Sequence, residues 1–236
     1  MRMWRMFLFD IRFQWKHGFY LIYSLICIVY FGILYFVHED YVEKSLILLT
    51  FSDPSALGLL FAGGIILLER GQGVMGSLFA TPVRIREYVL AKCLSLSCLS
   101  VLAAYAIHLP IGGWPVSPVH FTIGVALTSS FFTLIGIWTA VQCRSINSFI
   151  LLTQLYVLPF VLPLAGYLDW MHSPFMALLP THGTLILLDG AIRVVGWQET
   201  IYAILSLVLW IGGFGWLTNR AVLGTVRKLD GGKSHE

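Results

Sequence analysis

The sequence is poor in charge: Asp, Glu, Lys and Arg together make up 11% of its 236 residues. A soluble domain carries about 25% of these residue types. Because 58% of the residues are hydrophobic, the chain could not cover a surface that faces water on all sides. The composition therefore excludes an ordinary soluble domain and indicates a protein that lies in a lipid bilayer.

Cysteine is also scarce, with four residues and no Cys-x-x-Cys pair. The four fall within or beside apolar stretches, where a thiol behaves as a small buried hydrophobe. We therefore expect neither a disulfide framework nor a metal site built from cysteine.

Catalytic and cofactor motifs are absent from the sequence. His38-Glu39 begins like a zinc-protease motif, but Val42 stands where the second histidine is needed. Gly232-Lys233-Ser234 ends like a phosphate-binding loop, but Arg227 replaces the required first glycine. Basic residues do not interleave with aromatics, so no nucleic-acid surface is predicted. We expect no catalytic residue, bound cofactor or metal in this chain.

Six apolar segments are each long enough to cross a bilayer as a helix, which needs about 20 residues. They do not alternate apolar with polar residues, which favours helices over barrel strands. The predicted spans are Phe19–Val37, Leu46–Leu68, Tyr88–Leu109, Val119–Val141, Ile146–Leu164 and Thr200–Leu217. The sequence thus predicts an all-α membrane protein, with residues 1–236 forming a single transmembrane domain.

The distribution of positive charge predicts the orientation. If the N-terminus lies in the cytoplasm, every one of the 15 Lys and Arg residues except Lys44 and Arg193 falls on the cytoplasmic side. We therefore expect a multi-pass protein of a plasma membrane, in a bacterial cell, with both termini cytoplasmic. The net charge of +3 then reflects topology, and residues 220–236 form a loose cytoplasmic tail.

Residues 1–17 precede the first span and predict an amphipathic helix in the plane of the membrane surface. At helical spacing Trp4, Leu8 and Trp15 share one side, whereas Arg5 and Arg12 lie on the other. This helix either anchors the chain in the lipid or also touches a cytoplasmic partner.

Two features within the spans leave alternatives open. Asp53-Pro54 is typical of a helix N-cap and first position, so a new helix would begin there; the alternative is that Asp53 lies on a substrate path. Small residues at 129, 133, 136 and 140 form a seam in the fourth span. That seam packs either within the chain or against a second subunit.

The segment 165–199 is too apolar for an ordinary loop and too interrupted for a span. It predicts a short helical hairpin at the outer face that roofs a cavity before the last span. His182 and Asp189 are seven residues apart and would share a helix face if Thr181 caps that helix. They either support packing and capping or serve as a gate or exit for substrate.

A cytoplasmic loop over residues 69–87 interrupts the apolar pattern between the second and third spans. Gly71 and Gly73 break the helix, and Thr81-Pro82 is typical of a new helix start. Between them lies a short apolar run that either docks on a partner or dips into lipid. The candidate contact residues are Glu69, Arg70, Val74, Met75, Leu78, Phe79, Thr81, Pro82 and Arg84.

The loop ERGQGVMGSLFATPVRIREYVLAK resembles the coupling-helix loop of type-two ABC exporter permeases. The interfacial helix, the six spans and the outer hairpin are similar to the plan of that family. FDIRFQWKHGFYLIY, FSDPSALGLLFAGGIILLERGQG and LPTHG further resemble the permeases known as fluoroquinolone exporters.

The resemblance implies a transport subunit that hydrolyses nothing itself. ATP and Mg would be bound by a separate ABC ATPase subunit, present in two copies, and two permease chains would pair as a homodimer within the lipid. The cargo would be a hydrophobic or amphipathic drug, lipid or peptide that leaves the cell. An intramembrane enzyme and a non-catalytic membrane assembly factor are the alternatives.

Overall fold

The structure, a computed structural model, describes residues 2–79, 83–171 and 173–232. The described part of the chain is helical, with short connections and no strand. Its elements are α1 (Arg2–Lys16), α2 (Phe19–Phe36), α3 (Glu39–Ala56), a π-helical turn (Leu57–Phe61), α4 (Ala62–Gly71), α5 (Val74–Phe79), α6 (Ile85–Gly112), α7 (Pro118–Ala140), α8 (Ile146–Tyr167), a 3-10 turn (Pro174–Leu178), α9 (Pro180–Asp189) and α10 (Trp197–Gly232).

Six helical segments of the described chain are long and apolar enough to cross a membrane, which confirms the predicted spans. The segment α3–α4 counts as one span because its helix is continuous from Glu39 to Gly71. Successive spans run in opposite directions, so α1, α5 and the connection 141–145 lie at one end of the bundle. The connection 113–117 and α9 lie at the other. We call these the α5 end and the α9 end.

Helix α7 lies at the centre of the bundle and packs against α6, α9, α10 and the second span. Its seam of small residues faces the π-helical turn. A Cβ added to Gly58 would lie 2.5 Å from the Ser129 carbonyl oxygen, and a Cβ on Gly136 would overlap the Leu59 carbonyl. The seam is therefore a contact within the chain, which decides between the two alternatives left open by the sequence.

The prediction that a helix begins at Asp53 is wrong. Helix α3 starts at Glu39, passes through Pro54 and continues into the π-helical turn and α4. The Pro54 ring removes one backbone donor, but the turn after it keeps the following groups paired: Leu57 N–H donates to the Asp53 and Pro54 carbonyls. In lipid a helix that ended here would leave several backbone groups unpaired, so the helix adjusts locally instead of restarting.

The start of α6 and the end of α10 also differ from the prediction. Helix α6 begins at Ile85 after Arg84 as N-cap, later than the predicted start at Thr81-Pro82, and those two residues lie outside the described part. The predicted loose tail is wrong as far as residue 232, because α10 continues to Gly232. Val222 is fully buried in the core, so the helix stays docked past Leu217, where the predicted span ends.

Candidate functional site

A buried cluster of charged side chains lies at the α5 end. The Lys92 ammonium is 2.7 Å from Glu69 Oε1 and 3.0 Å from Asp10 Oδ1. The Tyr88 hydroxyl donates to Glu69 Oε2 at 2.5 Å. Each charged side chain of the cluster is at most 6% exposed. We call Asp10, Glu69, Tyr88 and Lys92 the charge cluster.

Three separate helices supply the charge cluster. Glu69 lies in the last turn of α4, and Tyr88 and Lys92 are one turn apart on α6, so both reach the same carboxylate. Asp10 comes from α1, where Gln14 lies one turn further on and donates to Ser95 Oγ at 3.2 Å. The cluster therefore fixes the interfacial helix to the second and third spans.

The electrostatics of the cluster make its completeness important. One ammonium faces two carboxylates, and burial raises the pKa of Asp10, with the nearby Lys92 charge opposing that shift. Removing one partner of a buried ion pair leaves an uncompensated charge and costs about 3–5 kcal/mol. The cluster therefore holds α1, α4 and α6 in one geometry.

The apolar residues predicted to dock on a partner lie partly inside the chain. Met75 is 1% exposed and packs in the core with Ile66 and Tyr88. Phe79 packs edge-on against the Tyr88 ring, with ring centroids 5.4 Å apart. Val74 and Leu78 are half-buried. The short helix α5 therefore rests on the charge cluster through Tyr88.

The polar residues predicted for the same loop divide into two groups. Glu69 belongs to the charge cluster, and Arg70 donates from Nη1 to the Cys143 carbonyl oxygen at 3.0 Å. Arg84 is exposed at the start of α6. Their contact with an ATPase stays a prediction, and Thr81 and Pro82 lie outside the described residues.

Sequence reasoning missed Asp10, Gln14 and the pairing of Lys92 with Glu69. A signal was present for the first two. Asp10 and Gln14 are polar residues four apart on a helix whose other residues are apolar or cationic. That spacing places both on one face, and both side chains are buried at 5% and 0% exposure.

A partly open cavity of about 530 Å³ lies in the hairpin at the α9 end, and both predicted residues, His182 and Asp189, line it. The Tyr167 hydroxyl donates to Asp189 Oδ1 at 3.0 Å, and Arg193 pairs with Asp189 Oδ2 at 2.7 Å. Burial lowers the pKa of His182. The hairpin therefore lines a cavity, and its role as a roof stays a prediction.

Thr181 does not cap α9. Leu179 is the N-cap residue, and the Thr181 hydroxyl donates instead to the Phe160 carbonyl of α8. His182 and Asp189 still face one cavity, so their roles as gate or exit stay a prediction.

Asp53 lies apart from both sites. It is 2% exposed inside the second span, and its Oδ2 has no hydrogen-bond partner in the described part of the chain. The structure brings together Glu69 with the α5 residues and His182 with Asp189, but it does not bring Asp53 to either group.

Comparison with known proteins adds a family match over most of the chain. The model of the fluoroquinolones export permease protein family matches residues 1–226. Two relatives, the proteins named fluoroquinolones export permease protein in two strains of Mycobacterium tuberculosis, are each 26% identical over 153 residues. The matched region covers 62% of this chain and 63% of each relative, so the chain aligns with less than two thirds of their length.

Proposed function

Since this chain belongs to the fluoroquinolones export permease protein family, we propose that it is the membrane subunit of an ATP-driven ABC exporter. It would move an amphipathic or hydrophobic molecule out of the cell, and a fluoroquinolone-type drug is the first cargo to test. ATP and Mg would bind to a separate ATPase subunit.

The observation that carries the proposal is the attachment of α5 to the charge cluster. A push on α5 would reach Tyr88 through Phe79, and Tyr88 and Lys92 bond to Glu69 of the second span. Rigid contacts of this kind pass a displacement to the spans instead of dissipating it in a flexible loop. Helix α5 is therefore positioned to act as a coupling helix.

The proposed assembly has two permease chains and two ATPase subunits. Large apolar side chains are exposed along α2, α8 and α10, including Leu21 at 75%, Leu151 at 73% and Leu209 at 74%. Lipid covers part of that surface, and a second copy of the chain related by a two-fold axis would cover another part. We place both termini and α5 in the cytoplasm, on the positive-inside rule.

Co-purification tests the proposal. A candidate ABC ATPase is expressed with and without the permease, and its ATP hydrolysis and membrane association are measured. We expect both to depend on the permease, and reconstituted vesicles to move a fluoroquinolone only when both proteins and ATP are present.

A charge reversal at an exposed residue of the cytoplasmic loop tests whether that loop contacts the ATPase. Arg84→Glu reverses a charge at the proposed contact, whereas Arg193→Glu does so at the α9 end and serves as the matched control. Loss of ATPase association in the first variant alone supports the proposal. Equal association in both variants, with the wild-type level retained, contradicts it.

A further inference from the structure

Three arginines surround a cavity of about 510 Å³ at the α5 end. Arg70, Arg144 and Arg220 come from α4, the 141–145 connection and α10. No carboxylate lines this cavity, and none of the three arginines forms an ion pair within the described residues. Three guanidinium groups without a carboxylate favour an anionic ligand. We call it the arginine cavity.

An apolar groove of about 590 Å³ adjoins the arginine cavity. Arg70 and Arg144 line both, and the groove continues along Leu67, Leu68 and Ile146. Leu68 and Ile146 are 39% and 61% exposed, so the groove opens at the surface of the spans. The two cavities together fit a molecule with an anionic head and an apolar chain.

The arginine cavity and the apolar groove lie at the boundary between lipid and water. Helix α4 ends at Gly71, α7 ends at Ala140 and α8 begins at Ile146, so three spans begin or end here. Arg220 follows Trp216 by one turn of α10, and its guanidinium lies 4.3 Å from the centre of the Trp216 ring. Exposed tryptophan and arginine at the end of a span are typical anchors at headgroup depth.

We propose that the arginine cavity binds the phosphate of an anionic phospholipid, whose acyl chain lies in the adjoining groove. Each guanidinium carries five N–H donors, and Arg70 uses one group on the Cys143 carbonyl, so donors remain for phosphate oxygens. The bound lipid joins the second span, the 141–145 connection and the last span. This inference does not depend on the proposed transport function.

The site would have a consequence for the neighbouring loop. Arg70 follows Glu69 of the charge cluster directly, and α5 begins only four residues later. A phosphate held by Arg70 fixes the end of α4, from which α5 is suspended. Anionic lipid in the adjoining leaflet therefore stabilises the position of α5.

Native mass spectrometry of the purified full chain in detergent tests the lipid site. The protein is titrated with phosphatidylglycerol and with phosphatidylcholine of the same acyl chains. We expect one phosphatidylglycerol retained per chain and a clear preference over phosphatidylcholine. Arg144→Gln with Arg220→Gln should weaken that binding roughly 30-fold, which corresponds to about 2 kcal/mol, or about 1 kcal/mol for each cation.

Controls distinguish lipid binding in the arginine cavity from general attraction to positive charge, from binding of free phosphate and from contact with the ATPase. Arg86→Gln removes an exposed cation at the same end without lining the cavity, and it should bind lipid as the wild type does. Equal binding of both lipids, or wild-type affinity in the double variant, overturns the proposal. Displacement of the lipid by inorganic phosphate at equal concentration assigns a free-phosphate site instead and also overturns it. If the double variant loses only ATPase association and keeps its lipid, the arginines serve the protein partner and the lipid proposal fails.

Discussion

The Lys92 ammonium lies 3.0 Å from Asp10, although the two residues are 82 positions apart in the chain. Through this contact the helix at the membrane surface is bonded to the interior of the bundle. The same ammonium bonds to Glu69, so a single side chain connects α1, the second span and the third span.

Replacing Lys92 tests how strongly that connection holds the fold. Lys92→Met keeps most of the side-chain length but leaves Asp10 and Glu69 buried without their cation. We expect the free energy of unfolding in detergent to fall by about 3–5 kcal/mol. Chemical denaturation followed by tryptophan fluorescence measures the change.

Lys44→Met is the matched control for that experiment, because Lys44 pairs with Asp169 at the surface and is 51% exposed. An exposed pair contributes about 0–1 kcal/mol. A triple variant with Asp10→Asn and Glu69→Gln beside Lys92→Met should recover part of the loss. Equal destabilisation by Lys92→Met and Lys44→Met would show that the charge cluster stabilises the fold no more than an exposed ion pair does.

The spans could be predicted from the sequence because each is a continuous apolar run, and the bilayer requires about 20 such residues. The charge cluster could not, since its partners are distant in sequence and no local pattern links Asp10 to Lys92. The Asp53-Pro54 prediction failed for a related reason. Local capping preferences hold in water, whereas inside a span the backbone has to stay paired, and the helix continues.

The contact between Gly136 and Leu59 predicts a strict size limit in α7. A methyl group at Gly136 would overlap the Leu59 carbonyl, so the second span and α7 would have to separate. Gly136→Ala should lower the free energy of unfolding by about 1–3 kcal/mol. Gly212→Ala is the control, because nothing lies within 4 Å of an added Cβ there, and thermal unfolding in detergent should distinguish the two. Indistinguishable midpoints would argue against this packing.

Replacing Asp53 should raise the free energy of unfolding, whereas replacing Gly136 should lower it. Its carboxylate is buried in the second span with one oxygen lacking a partner. Asp53→Asn removes the ionisable group at constant shape, and we expect the free energy of unfolding to rise by about 1 kcal/mol, because a buried neutral amide costs less than a buried carboxylate. Asp40→Asn, at an exposed position beside His38, should change the free energy of unfolding by at most about 0.5 kcal/mol. A loss of stability in the first variant would mean that the carboxylate has a partner outside the described contacts.

Asp189 holds the cavity at the α9 end together, and its removal should affect transport more than folding. It accepts a hydrogen bond from Tyr167 of α8 and pairs with Arg193 beyond α9. Asp189→Asn weakens both contacts, so we expect a cost of about 1–3 kcal/mol in stability. If the cavity is on the exit path, drug export from reconstituted vesicles should fall further than this loss of folded protein explains.

Tyr167→Phe separates structural support from a direct role of the carboxylate in transport. This variant removes one hydrogen bond to Asp189 but keeps the charge and the Arg193 pair. If the carboxylate guides the substrate, Tyr167→Phe retains most of the export rate while Asp189→Asn does not, with both rates normalised to folded protein. If the two variants lose export in proportion to their stability, Asp189 only holds α9 against α8, and the proposed exit has to lie elsewhere.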